Sequence, residues 1–442
     1  MLQDSVSQHV NNAMDITYLY DYYRGNQEIQ KKVKEVRTEI NNKITENRAY
    51  EIVSFKKGYT FGEPVQYIAR GIEKTIVDSI TRLNDYMIEC DKGSLDSELA
   101  EWFFICGIGY RMALPNKNWD GDMDESPFKI YTLDPRTTFV VRFNDLDKEI
   151  AMAVTYITLD GGNRVYSVYT KDKFYTIDDI HGILDSQDIY TGIPVVEYIN
   201  NNARLGAFEV VIPLLDAINS VQSNRLDDIE QHVNSFMAVF GADVSEETYK
   251  QIQEWKMMVL PDGSDVKYLS TSLQQTDVQT YVDSLYHTIL TICGMPSVES
   301  GGSGGDNGVA VHLRNGWQTA ETQAKSIEKT FSKSERQLLR LVLRILNNVG
   351  ENNLRLHNIE IKFARRYTDN IYTKAQTLAL LLDSGIKPDI AIATCGIWND
   401  PTDVALQSKP YLEKWELNDV LQENRQDFSE IENADQEVIQ QV

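Results

Sequence analysis

The sequence is short of the residues that build catalytic and metal sites. It has 4 cysteines and 6 histidines in 442 residues. Cys90, Cys106, Cys293 and Cys395 are far apart and form no C-x-x-C pair, which argues against a zinc site or a disulfide framework. The chain also has no H-E-x-x-H motif and no G-x-S-x-G nucleophile elbow. We therefore expect no metal, no cofactor and no enzymatic activity.

Long hydrophobic runs are absent as well. No stretch reaches the roughly 18 apolar residues that a membrane-spanning helix needs. The first residues, MLQDSVSQHVNNAMD, show no basic region followed by an apolar one, so no secretory signal is indicated. We expect a protein that is made in the cytosol and has no membrane partner.

Basic residues are outnumbered. The chain has 66 acidic and 43 basic residues, and its net charge is -23. The molecule as a whole should therefore repel DNA rather than bind it tightly. Such repulsion suits a surface along which DNA must slide, although acidic charge also serves solubility alone.

A glycine-rich segment lies between two helical patterns. Gly294 and Pro296 end the first helix, and Asp306 or Asn307 can cap the second. The intervening GGSGGDNG has no Gly-Lys-Ser/Thr ending and follows no strand, so it matches neither a Walker loop nor a dinucleotide fingerprint. A flexible connection between two rigid helices is the favoured interpretation.

The helix after this segment is predicted to be basic on one side and apolar on the other. Ile327, Phe331, Leu338, Val342 and Ile345 recur at helical spacing on the apolar face. Glu321, Glu328 and Glu335 lie seven residues apart beside the basic face, which favours ion pairing or a charged contact between subunits over nucleic-acid binding. The cations on the opposite face, here called the basic stripe, are Lys325, Lys329, Lys333, Arg336, Arg340 and Arg344.

The remaining patterns predict a mixed α+β fold. Apolar spacing predicts helices over 29–44 and 72–87, and alternating residues predict strands between 128 and 196. A long amphipathic helix over 208–233 is followed by a small β-α-β-β insertion at 236–271 and a return helix from Thr276. One more strand, NIEIKFARRY, and several short helices follow, and the residues from Tyr411 onward form an acidic stretch.

Five fragments in this order resemble the portal proteins of tailed bacteriophages, in particular those of long-tailed phages of Gram-positive bacteria. The resemblance covers nearly the whole chain, with one departure at Asp306-Asn307, where family members often have Asn-Ser. The fragments are YDYYRGNQEI, GYTFGEPVQY, LDPRTTFVV, TGIPVVEYINNNARLGAFEVVIPLLDAINSVQS and GGDNGVAV.

The resemblance implies a portal fold with named parts. Residues 1–205 would be the N-terminal part of the wing, 206–235 and 276–295 the two stem helices, and 236–275 a small α/β clip. Residues 296–309 would form a tunnel loop, and 310–367 the long helix with the rest of the wing. A helical crown at 368–425 and an acidic tail at 426–442 would complete the chain.

The resemblance also implies a function. Such a protein forms a ring, usually of twelve subunits, at one capsid vertex of the virion, after assembly in the host cytoplasm. Double-stranded DNA passes through it without sequence specificity during packaging and ejection. Its partners would be the terminase large subunit, a head-completion adaptor, and the major capsid and scaffolding proteins.

Two groups of residues follow from this resemblance, besides the basic stripe, which would face DNA or a neighbouring subunit. The tunnel loop would face DNA through Ser300, Gly301, Gly302, Ser303, Gly304, Gly305, Asp306 and Asn307. The clip would contact the motor or adaptor through Glu246, Glu247, Gln251, Trp255, Asp262 and Lys267.

Two other classes stay open at this point. One is a hydrolase that uses paired carboxylates, for which Asp227 with Asp228, or Asp178 with Asp179, are candidates. Such pairs are expected by chance among 66 acidic residues. The other class is a monomeric virion scaffold or adaptor that binds only protein.

Overall fold

The computed structural model describes most of the chain in two compact units. Unit 1 comprises Met1–Gly58, Glu98–Arg111 and Thr132–Ser334, and unit 2 comprises Tyr59–Ser97, Met112–Tyr131 and Glu335–Val442. All structural statements concern the described residues, which are 2–35, 38–70, 73–121, 125–233, 236–240, 265–269, 275–297, 316–350, 354–364, 371–398 and 401–408.

Helices make up much of the described chain. Three short 3-10 turns, Glu28–Lys31, Glu209–Val211 and Leu356–Asn358, precede longer elements. The α-helices are α1 (Leu2–Tyr23), α2 (Arg48–Phe61), α3 (Lys74–Glu89), α4 (Lys92–Cys106), α5 (Ile212–Val233), α6 (Gln275–Cys293), α7 (Trp317–Asn348), α8 (Ile371–Asp383), α9 (Pro388–Cys395) and α10 (Pro401–Ser408).

The strands form several small sheets. Their bounds are β1 (Gln66–Ala69), β2 (Ile108–Pro115), β3 (Phe128–Leu133), β4 (Thr138–Arg142), β5 (Ile150–Thr158), β6 (Arg164–Tyr169), β7 (Lys173–Asp178), β8 (Gly182–Asp188), β9 (Val195–Ile199), β10 (Phe236–Phe240), β11 (Asp265–Leu269) and β12 (Ile359–Lys362). The sheet orders are β1-β12, β10-β11, β3-β2-β9 and β4-β5-β6-β7-β8.

The five-stranded sheet is an antiparallel meander with one apolar face. Each of its strands pairs with the next along the chain. Side chains alternate between the two faces of a strand, so every second residue can join a common core. That core contains Phe139, Met152, Val154, Tyr156, Tyr166 and Val168, with Leu2 and Val6 of α1 packed against it.

The pattern of α7 follows the sequence prediction. Phe331, Leu338, Val342 and Ile345 are at most 1% exposed. Burial of such side chains stabilises a fold by roughly 1.5–3 kcal/mol each. The apolar face of α7 is therefore a major source of its stability, and the predicted two-sided helix is confirmed.

The helix predicted over 29–44 is wrong. Only a 3-10 turn at Glu28–Lys31 forms, and the described residues from Asn41 to Asn47 are in neither helix nor strand. Ile29 and Ile40 are buried, whereas Val33 of the same supposed apolar face is 82% exposed. Side chains of α5 bind the backbone of this segment instead, which removes the need for helical hydrogen bonds.

Most other predicted elements are present. The helix expected over 72–87 is α3, the strands expected between 128 and 196 include β3 to β7, and the short C-terminal helices are α8 to α10. The elements without a prediction include α1, α2, α4, β2, β8 and β9. β8 has the sequence GILDSQD, which lacks the alternation of apolar and polar residues that identifies a strand.

Candidate functional site

Two long helices carry the segment between Phe236 and Leu269. β10 follows α5 and β11 precedes α6, and the two strands pair with Phe236 opposite Leu269. The Arg225 guanidinium on α5 donates to the side-chain oxygens of Gln275 and Gln279 at the start of α6, the second at 2.7 Å. The predicted helix pair and the first and last strands of the insertion are therefore confirmed, whereas its predicted helix (245–256) and middle strand (257–260) lie outside the described residues.

The apolar surface of this helix pair is only partly covered. Ile229 on α5 is 38% exposed, and Tyr281 and Ile292 on α6 are 54% and 49% exposed. Single apolar residues are common on protein surfaces, so these three mark a contact only if another chain covers them. The residues of the pair that are buried include Leu215, Ile218, Val282 and Ile289.

α5 holds the extended segment 42–46 through a row of buried polar side chains. Asn219 Oδ1 accepts the Glu46 N–H at 2.8 Å, and Ser223 Oγ accepts the Ile44 N–H at 2.9 Å. Asp227 Oδ1 accepts the Asn42 N–H at 2.8 Å. We call Asn219, Ser223 and Asp227 the polar row; each is at most 1% exposed.

The spacing of the polar row along α5 explains how its side chains can bind alternate N–H groups of the segment 42–46. Four helical residues rise about 6 Å along the axis. Two extended residues span about 6.6 Å, so alternate N–H groups of a strand-like segment nearly match a row of side chains four apart on a helix. Every second N–H from Asn42 to Glu46 is thereby satisfied without a partner strand.

Asp227 is the charged member of the polar row. Lys32 Nζ lies 3.0 Å from Asp227 Oδ2, and Lys34 Nζ contacts the same oxygen. Burial alone would raise the pKa of the Asp227 carboxyl, but hydrogen bonds from Lys34, the Asn42 N–H and Lys32 outweigh it and hold that pKa below its usual range. A general acid needs the opposite shift, so Asp227 fits a structural role.

The second carboxylate pair has no feature of an acid catalyst either. Asp178 Oδ2 lies 2.7 Å from His181 Nδ1, and Asp178 Oδ1 accepts the Ile180 N–H. The hydrogen bond from His181 is the main cause that lowers the pKa of Asp178. Asp179 accepts the Arg164 N–H. Asp178 therefore closes the turn between β7 and β8, and Asp179 ties this turn to the start of β6.

A compact contact fixes the junction between α6 and α7. Gly294 follows α6 with a φ of +62°, and a Cβ there would lie 2.1 Å from Gln323 Nε2 of α7. Gln323 Oε1 in turn accepts a hydrogen bond from Lys56 Nζ at 2.9 Å. Burial lowers the pKa of Lys56. The left-handed φ favours glycine at this position, and a Cβ would in addition force the Gln323 side chain to move.

The two chain ends that flank the glycine-rich segment lie close together. A Cβ on Gly316 would be 3.7 Å from the Pro296 Cα and 3.8 Å from the Met295 carbonyl oxygen. The chain therefore leaves and returns at one place. The tunnel-loop residues named from the sequence, Ser300 to Asn307, lie outside the described residues, so their role stays a prediction.

The basic stripe lies on the exposed side of α7. Lys325, Lys329, Lys333, Arg336, Arg340 and Arg344 are all exposed. Lys325 Nζ lies 3.4 Å from Glu321 Oε1, one turn earlier on the same helix. Exposed pairs of this kind stabilise a fold by about 0–1 kcal/mol. The structure thus presents a helix face of six cations to the surroundings of the subunit.

Glu335 differs from its expected position beside the stripe. It is fully buried in unit 2, where its Oε1 lies 3.0 Å from Lys92 Nζ and accepts the Tyr67 hydroxyl. Lys92 Nζ also contacts both oxygens of Asp96, at 2.6 and 2.8 Å. Since isolated buried charges are costly, these groups depend on one another. Glu335 therefore belongs to the fold rather than to a contact surface.

Most of the clip residues named from the sequence lie outside the described residues. The residues outside are Glu246, Glu247, Gln251, Trp255 and Asp262. Lys267 lies on β11, where it is opposite Ala238 of β10. A contact of these residues with a motor or adaptor stays a prediction.

The four cysteines form no disulfide, and two of them are buried thiols with a raised pKa. Burial raises the pKa of the Cys106 thiol to about 12 and that of the Cys293 thiol to about 11. Both are therefore neutral thiols near pH 7. Within the described residues no group of His, Cys, Asp and Glu is arranged to hold a metal ion, and no helix is long and apolar enough to cross a membrane.

Comparison with known proteins defines the class to which this architecture belongs. A model of the family described as phage portal protein, SPP1 Gp6-like, matches residues 4–405. The chain therefore belongs to the SPP1 Gp6-like family of phage portal proteins. The resemblance found in the sequence fragments and the mixed α+β portal fold are thereby confirmed.

Among the proteins similar to this chain are a portal protein and a chain of a neck structure. The portal protein of Clostridium phage phiCD119 is 21% identical over 450 residues, which cover 92% of this chain and 92% of that protein. A chain from the neck of an empty GTA particle, computed with C6 symmetry, has 14% identity and a TM-score of 0.46, and the match covers 79% of this chain and 90% of that one.

Sequence reasoning missed the polar row. Its signal was present, because Asn219, Ser223 and Asp227 are spaced four apart and thus lie on one side of α5. The sequence interpretation used only the apolar residues of α5 and therefore predicted an amphipathic helix without a polar contact. Polar residues at this spacing also occur on ordinary amphipathic helices, so the pattern did not identify the segment 42–46 as its partner.

Proposed function

We propose that this protein assembles into a closed ring at one capsid vertex and that double-stranded DNA passes through its channel. Membership of the portal family over residues 4–405 is the observation that carries this proposal. The ring has twelve subunits, as is usual for such proteins. It acts in genome packaging and ejection and has no enzymatic role.

The parts of the ring follow from the chain order. α5 and α6 form the stem, and residues 236–275 form the clip that docks the terminase large subunit and later the head-completion adaptor. Residues 296–309 form the tunnel loop, 368–425 the crown, and most of the remaining residues the wing, which faces the major capsid and scaffolding proteins. The exposed Ile229, Tyr281 and Ile292 support this proposal, since neighbouring subunits would cover them.

Charge supports the passage of DNA. A net charge of -23 per chain makes the ring as a whole repel phosphates. DNA can then move without being held at particular places. The basic stripe is the exception, and its pairing with carboxylates of a neighbour would leave the channel largely acidic.

The mass of the particle tests the proposal. Twelve copies of the 50.5-kDa chain have a mass of about 606 kDa. Native mass spectrometry should find this species, or another closed ring, and electron microscopy should show a central channel. A protein that stays monomeric at micromolar concentration, even with scaffold or capsid protein added, would instead be an adaptor that binds protein alone.

A further inference from the structure

The outer edge of the five-stranded sheet is open. β8 is the last strand of this sheet, and all seven of its residues are exposed. It pairs with β7 on one side, and no described strand pairs with its other side. An open edge of this kind can associate with another chain. Soluble proteins usually prevent such association by covering or charging the edge.

The apolar face of the sheet continues onto this edge. Tyr156, Tyr166, Ile177 and Ile183 lie opposite one another in four successive strands. Exposure rises along this row, from 8% at Tyr156 and 4% at Tyr166 to 64% at Ile183. The apolar row of the sheet therefore ends at the edge strand in an exposed isoleucine, Ile183, rather than in a polar residue.

The surroundings of β8 combine apolar and acidic groups. Ile180, Leu184 and Tyr190 are 61%, 54% and 87% exposed. The segment 178–190 contains four aspartates, Asp178, Asp179, Asp185 and Asp188, and no lysine or arginine. Nucleic acid would be repelled by this segment, and the apolar side chains favour a protein surface. The surface that binds the β8 edge should therefore be basic and should also carry exposed apolar groups.

We infer that the β8 edge of one subunit docks against the basic stripe of α7 in a neighbouring copy of this chain. The stripe offers six exposed cations, and the long stems of lysine and arginine can cover apolar side chains while their charged ends reach carboxylates. In this contact the stems lie over Ile183, and the cations reach Asp188 on the same face of the sheet and Asp185 across its open edge.

The type of contact fits a ring. It uses two different surfaces, β8 on one copy and α7 on the next, so it is heterologous. A heterologous contact repeats from subunit to subunit and closes when the rotation permits. The inference thus rests on the proposed ring and names two of the surfaces that hold it together.

Charge reversal on each surface tests the inference. One variant is Asp185→Lys with Asp188→Lys, and the reciprocal variant is Arg336→Glu with Arg340→Glu. The matched control is Asp147→Lys with Glu149→Lys, two exposed carboxylates in the turn between β4 and β5 of the same sheet. Native mass spectrometry over a range of concentrations gives ring mass, and circular dichroism confirms that each variant is folded.

Each reversal alone should raise the concentration at which the ring half-dissociates by roughly tenfold or more, since like charges then face each other. The control should match the wild type. An equal mixture of the two reversed variants should restore rings, because each β8 then meets a stripe of opposite charge.

Two results would overturn the inference in distinguishable ways. Wild-type-like rings from the Asp185 and Asp188 variant, or no recovery on mixing, would show that β8 and the stripe do not meet, while the ring itself would stand. A wild-type protein that never forms a ring would contradict the proposed function and this interface together.

Discussion

The Ser223 hydroxyl oxygen accepts the backbone N–H of Ile44 at 2.9 Å, although the two residues are 179 positions apart in the sequence. This bond joins the middle of α5 to an extended segment whose apolar residues alone predict a helix. With Asn219 and Asp227 on either side, it fixes the backbone of the N-terminal region along a helix that we assign to the stem.

Replacing Ser223 with alanine should destabilise the protein. The Ile44 N–H would lose its acceptor in a buried place, which costs about 1–3 kcal/mol. The midpoint of urea unfolding should therefore fall. Ser220→Ala is the matched control, because Ser220 is exposed on the same helix, and its midpoint should change little. Equal effects of the two substitutions would show that the buried hydrogen bond contributes nothing.

Asp227→Asn should destabilise through lost charge pairing with Lys32 and Lys34. Hydrogen bonds to charged groups stabilise by about 1.5–3 kcal/mol. The matched control is Asp228→Asn, since Asp228 is exposed. Unfolding midpoints of the two variants at pH 7 give the comparison.

The loss of stability caused by Asp227→Asn should also depend on pH. The folded pKa of Asp227 lies below the usual value, so its stabilisation is complete above the unfolded pKa of about 3.9 and is lost as the pH falls through the folded pKa. The difference in unfolding free energy between wild type and Asp227→Asn should therefore be constant from pH 5 to 7 and shrink below about pH 4. A difference that grows with acid would contradict the assigned ion pairs.

Gly294→Ala should disturb the junction of α6 and α7 for two reasons. The left-handed φ costs about 1–2 kcal/mol for a residue with a Cβ. The new Cβ would also collide with Gln323 Nε2, 2.1 Å away, so this flexible side chain would have to move and would disturb its hydrogen bond from Lys56. Adding Gln323→Ala removes the collision but keeps the strain. The double variant should therefore lose less unfolding free energy than the sum of the losses in the two single variants. Strictly additive losses would show that the Cβ introduced by Gly294→Ala does not meet Gln323.

Shortening the glycine-rich segment should separate stability from function. Deletion of four residues between Ser300 and Gly305 removes almost no apolar side chain, so thermal stability and ring mass should stay nearly unchanged. DNA packaging or retention should fall, because the proposed tunnel loop would no longer reach the DNA. If the shortened protein packages and retains full-length DNA at the normal rate, the segment is only a linker.

The sequence predicted the fold well where one pattern dominated. The apolar residues of α7, from Ile327 to Ile345, and its six cations occupy the predicted faces because both sets follow the helical period. The helix pair α5 and α6 and the strands β10 and β11 were likewise marked by periodicity and turns. Here local pattern and tertiary packing agree.

The misses have tertiary causes. Val33 and Ile40 share a helical spacing, but side chains of α5 bind the backbone that follows and keep it extended. Glu335 has the spacing of a surface residue, yet Lys92 and Tyr67 provide buried partners from distant parts of unit 2. β8 lacks a strand pattern because neither of its faces is covered within the described chain.

The stoichiometry of the wild-type protein tests the central claim most directly. Native mass spectrometry at micromolar concentration and moderate salt, with and without scaffold or capsid protein, measures it in a single experiment. The account predicts a closed ring near 606 kDa if twelve 50.5-kDa chains assemble. Monomer alone under all of these conditions would contradict it.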